Sequence, residues 1–168
     1  MPETPQEYTR RILGNLEGER PMAILAATPR QIARLVKGVS RKNLSRRPAP
    51  DTWSVSEILA HLADSELVTG FRIRLILGNS GTPVQAFDQD AWAKFSDYRK
   101  HDPGVSLEAF RATRERMVRL LKSLPSESWE LYGMHSERGK ETVSRVVEML
   151  AGHDINHLKQ IRERLPKK

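Results

Sequence analysis

The stretch Val143-Ser144-Arg145-Val146-Val147-Glu148-Met149-Leu150-Ala151-Gly152-His153-Asp154-Ile155-Asn156-His157-Leu158-Lys159-Gln160-Ile161 contains no proline and reads with a helical period. Within it Val143, Val146, Leu150, His153, His157 and Ile161 follow at gaps of 3, 4, 3, 4 and 4 residues. Residues at these gaps share one face of an α-helix, the face a bundle helix turns to its neighbours. Two of the six positions carry imidazoles where leucine or valine would be expected. His153 and His157 stand one turn apart and project together. The pattern predicts a helix from about Glu141 to Leu165.

Upstream of it, other helices announce themselves. Residues 5–17 place Tyr8, Ile12 and Leu16 on one face. Pro21 suits the first position of a second helix, and Ile32, Leu35, Val36 and Val39 carry its stripe to about residue 39, with a restart or kink expected at Pro29. Ser40 to Asp51 reads as a connection. Ser54 and Glu57 form a capping-box pair, and the helix they open should run to about Leu77, before Gly78-Asn79-Ser80-Gly81. Residues 79–105 then form a long connection, with a short helix expected from Asp88 to Phe95. Ser106 is expected to begin the next helix, whose apolar positions are Leu107, Phe110, Met117, Leu120, Leu121 and Leu124. A loop follows over 130–139, with an extended piece around Tyr132 to Ser136. Strands do not alternate with helices. The reading is an all-α four-helix bundle, one domain over 1–168, with the long connection between the second and third main helices.

Composition removes whole classes of function. Apolar runs such as Met22-Ala23-Ile24-Leu25-Ala26-Ala27 fall far short of the roughly 20 residues a membrane span requires. The polar start, Met1-Pro2-Glu3-Thr4, does not resemble a signal peptide, so a cytoplasmic location is expected. Without cysteine, disulfides, thiolate metal sites and a cysteine nucleophile are excluded. The net charge of +7 is concentrated: residues 1–50 hold 10 Lys/Arg against 4 Asp/Glu, and the remainder 18 against 17. The basic segment 30–47, with Arg41, Lys42, Arg46 and Arg47, could attract phosphates. It has no interleaved aromatic residue for base stacking, so a solvated basic face is the favoured reading and nucleic acid the lesser one.

His61 lies at the edge of the apolar side formed by Val55, Ile58, Leu59 and Leu62. Two adjacent helices could therefore aim three imidazoles into one volume, the donor set of a divalent metal with an open position. The alternative is three buried core histidines, each needing a hydrogen-bond partner. His153 and His157 lack the intervening Glu of the His-Glu-x-x-His protease signature. Asp64, one turn beyond His61, is a candidate orienter or proton acceptor, with a solvated helix residue as the other reading. Glu57 reads as a cap.

The segment Trp53-Ser54-Val55-Ser56-Glu57-Ile58-Leu59-Ala60-His61-Leu62-Ala63-Asp64-Ser65-Glu66 resembles the second-helix motif of the DinB/YfiT-like superfamily of helical metalloproteins. Gly139, Thr142, Val143 and the run Gly152 to Ile161 resemble that superfamily's last helix. The resemblance implies a four-helix bundle holding a divalent ion, nickel or zinc, on His61, His153 and His157, and a homodimer. It also implies metal-dependent chemistry of the kinds found in that superfamily: hydrolysis, or transfer and isomerisation dependent on a low-molecular-weight thiol. In that case the metal activates water or the thiol, and the substrate is a small molecule. Asp88, Asp90, Trp92 and His135 are candidate pocket residues, with Phe87 and Phe95 as aromatic walls. Trp92 and Phe95 could equally pin the loop to the bundle, and His135 could be structural. A non-enzymatic, metal-stabilised binding bundle is the alternative.

Overall fold

The computed structural model describes residues 3–166. Helices run over Pro5–Gly14 (α1), Pro21–Val36 (α2), Arg41–Leu44 (α3), Val55–Gly78 (α4), Gln89–Phe95 (α5), Pro103–Lys122 (α6) and Val143–Arg164 (α7). Short 3-10 turns occupy Tyr98–Lys100 and Ser126–Glu130. Three strands, Thr82–Val84 (β1), Tyr132–His135 (β2) and Gly139–Thr142 (β3), complete the chain. The long helices α2, α4, α6 and α7 form the bundle. Each of α2 and α4 packs against both α6 and α7, so α2 and α4 face each other across the diagonal. None of the described helices is long and apolar enough to cross a membrane.

Several boundaries differ from the sequence reading for local reasons. The first helix stops at Gly14, and the chain turns away through Glu17 and Gly18, both with left-handed backbone at φ 45° and 81°. The third long helix begins at Pro103 rather than Ser106. Asp102 Oδ1 accepts from the Gly104 and Val105 amides at 2.9 and 3.1 Å, and Pro103 fills the first helical position. The stretch before α4 behaves as its capping pair requires: Glu57 N donates to Ser54 Oγ (3.3 Å) and Ser54 N to Glu57 Oε2 (2.9 Å).

The sheet is the largest addition to the sequence reading. The extended piece near 132–136 is paired on both sides: β1 runs parallel to β2, with Val84 opposite His135, and β3 returns antiparallel, with His135 opposite Gly139. The 79–105 connection is thereby tied to the segment entering α7.

Apolar packing divides into two clusters. One, near the sheet, gathers Leu25, Ile73, Ile76, Val84, Met117 and Leu150; the other gathers Ile32, Ile58, Leu62, Phe110, Leu158 and Ile161. Between them lies a polar layer. Arg114, on α6, is 1 % exposed and meets Glu66 of α4 at 2.7 Å and Asp154 Oδ1 of α7 at 3.1 Å. Its Nη1 also donates to the Leu25 carbonyl at 3.2 Å. That carbonyl would normally accept the amide four residues on, but Pro29 has none to give. Arg114 supplies the missing donor, and α2 continues through Pro29 without a break.

α1 crosses α7 at Gly152, whose carbonyl accepts from Asn15 Nδ2 at 3.1 Å. A Cβ there would lie 2.1 Å from the Ile12 carbonyl oxygen, a clash with backbone. Gly152→Ala is expected to cost about 1–3 kcal/mol, typical of overpacking, by displacing α1. Urea unfolding of the variant checks it, and wild-type stability would contradict the close approach.

Candidate metal centre

α4 and α7 bring His61, His153 and His157 together between the two apolar clusters. One ligand nitrogen from each lies within 4.8 Å of the others. His153 Nε2 stands 3.0 Å from both His61 Nε2 and His157 Nε2. His61 and His157 are almost fully buried, at 1 % and 7 % exposure. Burial, and then the charge of His157, pushes the His61 pKa down to about 3. Burial lowers His157 to about 4 against an opposing hydrogen bond donated to Gln160, and lowers His153 as well. All three rings are therefore neutral near pH 7, the state in which imidazole ligates metal.

A second contact sets the tautomer of His157, whereas His153 Nδ1 is buried without a partner among the described residues. His157 Nδ1 lies 2.9 Å from Gln160 Oε1. That oxygen only accepts, so the proton sits on Nδ1 and the Nε2 lone pair faces the other rings. Ser65 Oγ lies 3.5 Å from His61 Nδ1 and 3.3 Å from its Nε2. Trp53 packs against the His61 ring at 5.0 Å between centroids.

This donor set fits a divalent ion. Ligand nitrogens at 2.0–2.1 Å from a common tetrahedral centre are about 3.3 Å apart, close to the spacing found around His153. A single proton on His153 Nε2 cannot make a linear hydrogen bond to both neighbours, whereas one cation between the rings engages all three lone pairs. Imidazole ligands suit the later first-row divalent metals, zinc, nickel, copper and iron among them.

Two lobes of a cleft meet at His153, with Tyr8 and Gln89 also lining both. The first, about 110 Å³, is bounded by His61 and Ser65 and by Val84, Phe87, Met149 and Leu150; Arg72 and an Arg138–Glu141 ion pair give it polar edges. The second, about 300 Å³, is lined by His157, Trp53, Asn156, Gln160 and Arg164, with Asp51 and Asp90.

The other residues singled out in the sequence take varied places. Asp64 does not touch the imidazoles. Its Oδ2 accepts from the buried Tyr98 hydroxyl at 2.6 Å, fastening the 98–100 turn to α4. Tyr98 in turn packs on Trp53, so Asp64 reaches His61 only through two aromatic rings. Asp88 is occupied as the cap of α5, accepting from the Asp90 and Ala91 amides. Asp90 borders the second lobe. Trp92 lines neither lobe and packs edge-on against Phe87, which does line the first. Phe95 is 87 % exposed and neither walls a cavity nor pins the loop. His135 is buried in β2, accepting from the Glu137 amide at 3.2 Å, and lines neither lobe.

Ser65 shares a helical line with His61 in the sequence, but no site role is read there for Ser65, Gln160, Arg164 or the Arg114–Glu66–Asp154 layer. The layer had a signal: Arg114 interrupts the stripe Phe110, Met117, Leu121 at a core position.

The fold and site define a helical bundle with a three-histidine centre. Residues 24–161 match the DinB superfamily, and the chain belongs to it. A curated relative from Bacillus mycoides is 26% identical over 140 residues, 82% of this chain and 80% of the relative. Another, from Oceanobacillus iheyensis, is 28% identical over 132 residues, 79% and 76% of the two chains. The names of both class them, provisionally, as metal-dependent hydrolases. YfiT from Bacillus subtilis, described as having an unusual four-helix bundle topology, superposes with a TM-score of 0.76 at 23% identity, covering 86% of this chain and 85% of its own.

A buried neutral histidine makes stability depend on pH in a defined direction. The unfolded rings titrate near 6.5, whereas folded His61 and His157 resist protonation until about 3 and 4. Below about 6.5 the unfolded chain therefore binds more protons, and stability falls as pH falls toward 4. Each ring contributes at most about 1.4 kcal/mol per pH unit. Denaturant titrations of chelator-treated protein at pH 7, 6 and 5 should show this decline, with a shallower slope in His61→Gln. A flat profile would contradict the burial of neutral rings.

Proposed function

We propose that the chain is a divalent-metal-dependent enzyme, a hydrolase of small molecules, with His61, His153 and His157 as the ligands of zinc or nickel. The observation that carries this reading is the convergence of three neutral imidazoles where the two lobes of the cleft meet. A dication held there lowers the pKa of a water to about 7 and deprotonates a thiol outright. The chain's own residues do the rest. Gln160 holds the proton on His157 Nδ1, Trp53 packs against the His61 ring, and the apolar wall of Val84, Phe87, Met149 and Leu150 excludes water from one side. Asp64 is committed to Tyr98 and serves as a positioning residue.

Transfer to a low-molecular-weight thiol is the second reading, favoured by one feature: the lobes provide separate spaces for two reactants on either side of His153. The nucleic-acid reading loses part of its charge, because Arg47 is engaged by Glu57 and Arg41 lies 3.3 Å from Asp102. The test is elemental analysis of the purified protein, followed by assays of ester and amide cleavage and of thiol consumption with an electrophile. One equivalent of zinc or nickel with metal-dependent ester cleavage is expected. Thiol consumption alone would select the second reading. Stoichiometric metal with no turnover in any assay would replace both with a binding bundle.

A further inference from the structure

The face of α7 that carries the histidines continues to the end of the helix. His153, Asn156, His157, Gln160 and Arg164 all border the second lobe. Arg164 is the last helical residue, and its Nε and Nη1 are buried without a hydrogen-bond partner among the described residues. Burial pulls its pKa down, and only its chain neighbour Glu163 offsets this. A guanidinium cannot shed its proton to escape such a site, so it calls for an anion.

The lobe's other cation, Arg11, is already engaged. Arg11 is held by Glu3 through two contacts of 2.8 Å. Asp51 and Asp90 also border an adjoining hollow lined by Arg47, Lys94 and Arg99. Asp51 and Asp90 share the lobe with Arg164 but form no ion pair with it among the described residues, so its buried Nε and Nη1 stay without an acceptor. Its Cα lies about 10 Å along the axis from that of His157. Helical side chains lean toward the N-terminus, which directs the guanidinium back toward Gln160 and the imidazoles. The planar guanidinium matches the two oxygens of a carboxylate, the smallest anion that fills a bidentate fork.

We propose that Arg164 is an anion subsite: the substrate carries a carboxylate held by Arg164 while its reacting group lies at the three imidazoles. This rests on the hydrolytic reading above and adds the substrate class. Calorimetric titration of the zinc-loaded full chain compares glutarate with butyrate, which lacks the second carboxylate. Glutarate is expected to bind about tenfold or more tightly, the size of one charge-assisted hydrogen bond. Arg164→Gln should erase that preference, and Arg164→Lys, which keeps the charge but not the fork, should retain part of it.

A kinetic arm uses 4-nitrophenyl hemiglutarate against 4-nitrophenyl butyrate. Their kcat/KM ratio should fall about tenfold or more in Arg164→Gln, through KM. A glutarate preference that is absent, or that survives in Arg164→Gln, overturns the proposal even if both esters are cleaved. An Arg164-dependent preference with neither ester cleaved supports the subsite and removes the hydrolytic reading.

Discussion

Arg114→Met is expected to lower folding stability by about 3–5 kcal/mol, the usual cost of breaking a buried ion pair from one side. For a domain whose whole stability is about 5–15 kcal/mol, that is a severe loss. Three consequences coincide. Glu66 and Asp154, both fully buried, lose their shared cation and repel each other. The Leu25 carbonyl, already deprived of an amide by Pro29, loses its donor. The stacking of the guanidinium over Phe110, 4.8 Å from the ring centre, also goes. A triple variant, Glu66→Leu with Arg114→Met and Asp154→Leu, should recover most of the loss, because apolar replacements of a whole buried cluster are often neutral. It should not recover all of it, since the Leu25 carbonyl stays unpaired. Urea denaturation of both variants measures the difference. A single variant within 1 kcal/mol of wild type, roughly the worth of one hydrogen bond, would show that the layer is not a structural hub.

His157→Ala should reduce zinc or nickel affinity by more than about 100-fold, beyond the 10–100-fold typical of removing a group that merely orients a ligand. Gln160→Ala falls within that smaller range, because it frees the His157 tautomer without removing a donor. Far-ultraviolet circular dichroism should stay close to wild type in both, since neither substitution removes an apolar side chain of the two clusters. Competition titrations against a chromophoric chelator separate the two effects. Full metal occupancy in His157→Ala would take that ring out of the ligand set.

The parts of this molecule visible in its sequence are those written with a period or a local cap. The stripe from Val143 to Ile161 fixes which face of α7 holds both histidines, and Ser54 with Glu57 marks the start of α4. The sheet is different. Strands of three or four residues put at most two side chains on each face, too few to show alternation, and the β1–β2 pairing joins residues about 50 apart in sequence. Pro103 and Gly104 read as punctuation of a loop, although proline is also at home at the start of a helix. Arg114 lies 48 residues from Glu66 and 40 from Asp154, so nothing local reveals that the three meet. Arg164 looks like an ordinary basic residue at a helix C-terminus, where the macrodipole favours one. Only the fold shows it without a partner.

Thr142 is both the last residue of β3 and the cap of α7, accepting from the Arg145 amide. The Val143 amide, in turn, is bonded to the Leu131 carbonyl at 2.9 Å. The hairpin thus works as a datum from which every position on the final helix is counted, and β1 refers the same origin to the end of α4. Lengthening the 136–138 turn leaves that origin untouched. One residue inserted between Thr142 and His153 would swing both imidazoles by about 100° while the hairpin stayed in place. Tolerance to insertion should therefore change abruptly at residue 142.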